Sequence, residues 1–293
     1  MDPARLALYR TLAPLEIIER RGASLLAAAH PVLAPAGSLS HPSGDPAGFA
    51  AVIAAGEAWL RERGCTRALG PMEVCTWFAY RANSGPHDFP PFALEPSFVS
   101  GPWQVAGFSE VAHYNSVLVP HAPLLERFGG TCGRLEAQGF RFRAMDMDHF
   151  DRDLALGWEL SCAAFEEAYA FVPLPWPAFR ATYTGYRALL DPRMICLAFD
   201  PSGRPVGYYL NLPGPMFEGA QTAIYKTVAV HPAARGKRLA AALLERAHRQ
   251  SRALGMGGGM VHALMWNEAG SQFLGADGSQ VVREYTLLAK ELS

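Results

Sequence analysis

The sequence predicts an α/β protein built from two unequal copies of one unit, and three observations carry that prediction. From Phe140 onward, apolar residues alternate between a period of two and a helical period. The later part of that order of patterns also runs earlier in the chain, between Phe49 and Val119. Finally, His41-Pro42-Ser43-Gly44-Asp45-Pro46-Ala47-Gly48-Phe49-Ala50-Ala51 echoes His231-Pro232-Ala233-Ala234-Arg235-Gly236-Lys237-Arg238-Leu239-Ala240-Ala241.

In the C-terminal half, Phe140 to Met145 alternates like a strand, and His149 to Tyr169 has helix-spaced apolar residues until Pro173, Pro175 and Pro177 break the pattern. A second helical stretch, from about Ala178, ends at Asp191-Pro192. Met194 to Phe199 and Val206 to Leu212 flank a Pro201-Ser202-Gly203 turn and read as a hairpin. A loop with Pro213, Gly214, Pro215 and Gly219 should follow, then a strand from Ala223 to Val230 and a helix from about Gly236 to Leu254. The strand Met260 to Met265, a short helix near Glu268 to Leu274 and a last strand from Val281 to Ala289 complete the half. In the first half, Phe49 to Arg63 reads as helix, and Thr66 to Leu69 and Glu110 to Val119 as strands.

Composition bounds the function. The 293 residues are 50% hydrophobic and 18% charged, and 26 basic against 27 acidic side chains leave a net charge of −1. That length suits two domains, and the apolar content excludes an intrinsically disordered chain. Near-neutral charge argues against a nucleic-acid partner. Five cysteines, widely spaced and without a C-x-x-C pair, point to no metal site and to a reducing, cytoplasmic compartment. Charged or turn residues interrupt every long apolar run, so neither a membrane span nor a membrane partner is expected.

The chemistry concentrates at Val228-Ala229-Val230-His231-Pro232-Ala233-Ala234-Arg235-Gly236-Lys237-Arg238-Leu239-Ala240-Ala241. A strand runs through a turn with a glycine and three cations into an alanine-rich helix. The first amides of a helix have no intrahelical partner, and small residues there let a phosphate approach. Arg235, Lys237 and Arg238 oppose the helix dipole, which is best tolerated when an anion sits at that end. The expectation is a pyrophosphate cradle; the alternative is a solvated helix start. Neither the P-loop nor the Rossmann glycine pattern is present.

At these residues the sequence resembles the GNAT acyltransferase superfamily, whose turn reads [QR]-x-x-G-x-[GA]. Here it reads Arg235-Gly236-Lys237-Arg238-Leu239-Ala240, with Arg238 where glycine is usual. Val261-His262-Ala263-Leu264-Met265-Trp266-Asn267 fits the family's order of elements, and Arg283-Glu284-Tyr285, Gly70-Pro71 and Pro90-Pro91-Phe92 look like a two-domain branch. The resemblance implies a mixed, mostly antiparallel sheet flanked by helices. It also implies a degenerate domain over residues 1–138 and an acetyl-CoA-binding domain over 139–293. The strand backbone at Val228, Ala229 and Val230 would pair with pantetheine, and the amides of Gly236 to Ala241, including Lys237, Arg238, Leu239 and Ala240, would hold the pyrophosphate. Arg235 and Lys237 would add phosphate contacts and Asn267 would reach the cofactor. The implied activity is acetyl transfer from acetyl-CoA directly to an amine of a small-molecule acceptor; the alternative is a non-catalytic acyl-CoA-binding or regulatory protein.

Amine acylation needs a base for the attacking nitrogen and an acid for the leaving thiolate. Many family members place a tyrosine seven residues after the asparagine, where this chain has Leu274. Tyr285 is the substitute acid, against a core tyrosine, and Glu268 or Glu218 a base, against solvated carboxylates. Lys226 in an apolar strand must be paired or reach solvent. In the first half, Asp45-Pro46 replaces Arg235-Gly236, which predicts no CoA binding there. The aromatic segment Gly70 to Gly107, with Trp77, Tyr80, Arg81, His87, Glu95 and Phe98, either packs between domains or forms an acceptor pocket.

Overall fold

A computed structural model describes residues 2–83, 88–93, 95–268 and 275–293. In chain order the elements are α1 (Pro3–Arg10), β1 (Leu15–Arg20), β2 (Ala23–Ala28), β3 (Ala36–Leu39), β4 (Ser43–Gly44), α2 (Phe49–Arg61), β5 (Arg67–Gly70), β6 (Ala82–Asn83), α3 (Gly101–Val105) and β7 (Ser109–Val119). Then come α4 (His121–Phe128), α5 (Thr131–Ala137), β8 (Arg141–Ala144), α6 (Phe150–Phe165), α7 (Trp176–Tyr186), β9 (Ile195–Phe199), β10 (Pro205–Phe217), β11 (Ala220–Val230), α8 (Leu239–Ala253), β12 (Met260–Trp266) and β13 (Gln280–Glu291).

The strands form one sheet in the order β1-β2-β3-β5-β13-β7-β12-β11-β10-β9-β8, with β4 on β2 and β6 on β13. Only β3–β5 and β11–β12 pair in parallel. Each parallel pair is joined through a helix, α2 in the first half and α8 in the second, and an antiparallel neighbour flanks each pair on its outer side: β2 beside β3, β10 beside β11. The halves therefore repeat the same strand-helix-strand unit, as the His-Pro echo predicts.

Their last strands are exchanged. β7, from the first half, closes β12, while β13, from the second, closes β5 and pairs with β7 along its length. Lys290 of β13 then reaches into the first half, where Nζ donates to Glu57 of α2 at 2.7 Å. α4 and α5 pack on α8 although they precede residue 139.

Period-two patterning explains the layers. In β9, Cys196 and Ala198 face the core under α8, α4 and α5, whereas Ile195 and Leu197 face the core under α6 and α7. α8 buries Leu239, Ala242, Leu243 and Ala247, an apolar stripe at helical spacing, and stops at Leu254 before Gly255, whose φ of 86° suits a residue without Cβ.

Two expectations need correction. The predicted loop at Pro213 to Gly219 is mostly strand: β10 runs on to Phe217 and turns at Glu218-Gly219, and its prolines sit at a register irregularity between Pro213 and Met216. At Gly214 a Cβ would lie 2.3 Å from Thr222 Oγ1, so glycine lets β11 pass. The helix expected from Gly236 begins at Leu239, because Gly236 and Arg238 are both left-handed, with φ of 79° and 63°. The predicted helix near Glu268 to Leu274 lies outside the described residues apart from Glu268, which is in a turn.

Candidate active site at the divergence of two parallel strands

β11 and β12 pair only from Ala223↔Met260 to Tyr225↔His262. Beyond that register they diverge, for two local reasons. In β11, Leu210 opposes Thr227 while Asn211 opposes Tyr225, so Lys226 is an extra, bulged residue. In β12, the register on β7 slips between His262 and Met265, around Leu264 with its left-handed φ of 57°. From Lys226 onward, the β11 edge facing β12 has no strand partner.

The gap opens into a cavity of about 900 Å³. Lys226, Thr227 and Val228 line one wall and Ala263 to Trp266 another; Trp77, Tyr80, Arg81, Glu95 and Phe98 come from the aromatic segment, Tyr114 from β7, and Tyr183 and Tyr186 from α7. Other residues of the same segment pack inward: Phe89, Phe92 and Trp103 are buried in the core. His87 lies outside the described residues.

Burial and like charge set the electrostatics. Burial pulls the Lys226 ammonium down to about 8, and the nearby Arg81 adds to the shift. Burial lowers Arg81 to about 10. Burial pushes Tyr183 up to about 12 and holds Tyr285 far above the usual phenol range. The thiols of Cys75 and Cys196 are pushed up to about 12 by burial, and no cysteine lines the cavity among the described residues.

At the far end of β11 lies the predicted cradle. His231 caps a short 3-10 turn, its Nδ1 accepting from the Ala233 amide at 3.2 Å. The first α8 hydrogen bond is donated by Ala242 to the Arg238 carbonyl, 3.1 Å away, so the amides of Leu239, Ala240 and Ala241 precede the intrahelical ladder, and no side chain caps them. Arg235, Gly236, Lys237 and Arg238 are exposed. Arg235 is turned toward α6, with Nη1 3.2 Å from Glu167 Oε2. A residue other than glycine in the left-handed region costs about 1–2 kcal/mol, so Arg238 occupies a strained position where the family pattern has glycine.

Of the other sequence candidates, Val228 lines the cavity, Ala229 is buried under α6, and Asn267 and Glu268 are exposed just past β12. Tyr285 is 2% exposed, and its hydroxyl donates to Glu95 Oε1 at 2.8 Å and lies 3.2 Å from Ser116 Oγ. It is outside the lining and adjoins the cavity through Glu95 and through Tyr114, its partner on β7. Glu218 sits at the β10–β11 turn, the opposite end of β11 from His231. Leu274 lies outside the described residues. The counterpart turn in the first half is filled by its own chain: Asp45 caps Ala47 at 3.0 Å, and a Cβ on Gly48 would meet the Arg21 carbonyl at 2.5 Å.

Sequence reasoning missed α1 and β1 to β3; in β2 the alternation is masked because most of the strand is buried on both faces. It also missed Tyr114, whose signal was the β7 alternation itself. Among the described residues no cluster of three or more His, Cys, Asp or Glu could hold a metal, and no helix is long and apolar enough to cross a membrane.

Residues 159–274 match the acetyltransferase (GNAT) family. Comparison with curated proteins gave no significant match. Among solved structures, a GCN5-related N-acetyltransferase from Sphaerobacter thermophilus is similar at 15% identity and a TM-score of 0.51, over 93% of this chain and 81% of that one. A tandem GNAT protein from the clavulanic acid biosynthesis pathway is similar at 14% identity and a TM-score of 0.52, over 96% and 84%. A GCN5-related N-acetyltransferase from Anabaena variabilis gives 7% identity and a TM-score of 0.54, over 96% and 59%. The strands that diverge and the cradle that follows them therefore lie within a GNAT-family domain at residues 159–274, set in a fold shared with tandem GNAT structures.

Proposed function

We propose that the protein is an acyl-CoA-dependent N-acyltransferase that moves an acetyl group from acetyl-CoA to an amine of a small-molecule acceptor. One observation carries this reading: the unpaired edge of β11 leads from an aromatic cavity to an uncapped helix N-terminus with three cations. In this reading the backbone of Val228, Ala229 and Val230 pairs with pantetheine, and the amides of Gly236 to Ala241 hold the pyrophosphate. Arg235, Lys237 and Arg238 add charge, and Asn267 reaches the cofactor from the end of β12. Residues 139–293 carry the cofactor and residues 1–138 supply acceptor walls without binding CoA, a division that the Asp45 cap and the close packing at Gly48 support.

The amine attacks the thioester directly, without an acyl-cysteine, in keeping with thiols that burial keeps protonated. The acid role falls to Tyr285 acting through Glu95, which lines the cavity. Glu268, exposed beside Asn267, is the candidate base for an amine entering from that end. Tyr285→Phe and Glu268→Gln should each lower kcat with acetyl-CoA affinity unchanged.

Arg238 favours a second reading, an acyl-CoA binder without turnover, because its side chain occupies the turn. Calorimetric titration with acetyl-CoA at two salt concentrations tests cofactor use: binding should weaken with salt, and no binding at low salt removes both readings. Thiol release over an amine library then separates enzyme from binder.

A further inference from the structure

The cavity carries positive charge that the described residues do not neutralise. Its lining includes Asp2, Arg5, Arg81, Glu95 and Lys226. Asp2 caps the amides of Ala4 and Arg5, and Arg5 is ion-paired with Glu73. Glu95 is committed too: Oε1 lies 2.8 Å from Arg283 Nε and accepts the Tyr285 hydroxyl, while Oε2 accepts the Phe92 amide at 3.3 Å. Two cations remain. Arg81 is 5% exposed, with its guanidinium 3.8 Å from the Tyr80 ring centroid and 4.1 Å from that of Tyr114. It donates to the Leu264 carbonyl at 3.0 Å and to the Tyr80 hydroxyl, and no carboxylate pairs with it. Lys226, held by the β11 bulge, has neither a hydrogen bond nor an ion pair among the described residues.

Keeping two such charges, one buried and one half-buried, in one cavity is costly unless an anion completes them. The backbone around them is itself strained: Arg81 and Leu264, joined by that hydrogen bond, are both left-handed, with φ of 68° and 57°. We propose that Arg81 and Lys226 form a carboxylate subsite, so that this cavity takes a substrate whose carboxylate adjoins an aromatic or apolar group. The aromatic walls supply the apolar part. The inference rests on the acyl-CoA reading, in which the cofactor phosphates belong to the Gly236 to Ala241 turn and leave these two cations unused. The carboxylate then comes from the acceptor, an amino acid, or from the acyl group of a dicarboxylyl-CoA. Either way the amine forms the C–N bond as the C–S bond breaks. In net balance the ammonium gives up two protons, one reaching the departing thiolate and one solvent by way of the acid and base groups proposed above, leaving an amide and CoA thiol.

The test uses the full chain and two matched pairs of probes in calorimetry: L-phenylalanine against phenethylamine without CoA, and succinyl-CoA against acetyl-CoA. The carboxylate-bearing member of one pair should bind about tenfold tighter or more, a difference of about 1.4 kcal/mol. Lys226→Met should abolish that preference and Lys226→Arg should retain it. A preference in the first pair assigns the carboxylate to the acceptor, and one in the second to the acyl group. Equal affinities in both pairs, or a preference that survives Lys226→Met, overturn the subsite. A phenylalanine preference in a protein that does not bind acetyl-CoA removes the acyl-CoA reading and leaves the subsite standing.

Discussion

Lowering the pH from 7 to 5 should destabilise the fold by about 2 kcal/mol or more, through histidines held as neutral rings. Three of them form a chain across α4, α8 and β12: His121 Nε2 lies 2.8 Å from the Met256 carbonyl, His121 Nδ1 is 2.9 Å from His248 Nδ1, and His248 Nε2 is 3.1 Å from His262 Nε2. The carbonyl only accepts, so His121 carries its proton on Nε2, His248 on Nδ1 and His262 on Nε2. A further proton on His121 or His248 would set donor against donor. Burial, followed by the charge of His121, lowers His262 to about 3, and burial lowers His41 to about 4, where its Nδ1 accepts from Trp103 Nε1 at 3.4 Å. His248 and His121 are shifted the same way, chiefly by burial, and Arg252 also disfavours charge on His121. Because these rings have lower pKa values folded than unfolded, the unfolded chain binds more protons below about pH 6.5, and stability falls with acidification. Between pH 7 and 5 that is about 2 kcal/mol for His262, and less for the half-buried His41, where solvent screens the charge, against the roughly 5–15 kcal/mol of a typical domain. Asp146, held at about 2, and Asp200 and Asp153, held below the ordinary range by hydrogen bonds and ion pairs, add little in this window, because their losses run from about pH 5 downward. Urea unfolding followed by tryptophan fluorescence and circular dichroism at pH 7, 6 and 5 reads the slope. A change below about 1 kcal/mol would refute the buried-neutral assignment.

Three further outcomes follow from the geometry. Arg238→Gly should raise stability by about 1 kcal/mol by relieving the left-handed strain, whereas Arg238→Ala should not, as urea midpoints would show. Arg235→Glu should weaken acetyl-CoA binding about tenfold at low ionic strength, and the difference should shrink as salt is added; an unchanged affinity counts against the cradle. Residues 139–293 expressed alone lack β7 and expose the edge of β12, so this fragment should aggregate where the full chain is soluble, as size-exclusion chromatography would report.

The helices of the second half were legible because their buried faces follow a single period, as in α8, whereas β9, buried on both faces, was legible from the Pro201-Ser202-Gly203 turn that ends it. β2 was not, because residues such as Leu26 and Ala27 go to opposite cores and leave no alternation to read. The cradle was legible because its chemistry is local, a few consecutive amides and cations. The cavity was not: Arg81 and Lys226 are far apart in sequence, and only the β11 bulge and the left-handed turn at Arg81 aim them at one space. The strand exchange was equally hidden, because β7 and β13 have the composition of any central strand and the sequence holds no mark of which edge each one closes.

That exchange gives the first half a share in the cavity although its own turn is self-capped. Because β13 seals β5 and β7 seals β12, the sheet is continuous and the segment after β5 is carried against the point where β11 and β12 part. Arg81, Tyr80 and Glu95 therefore face Lys226 across a seam that neither half builds alone. At the first half's own turn Asp45 serves as a cap. The two halves thus differ in charge at corresponding turns: an acidic, self-capped turn on one side, and on the other a cationic turn whose neighbouring strand opens onto walls that the first half supplies.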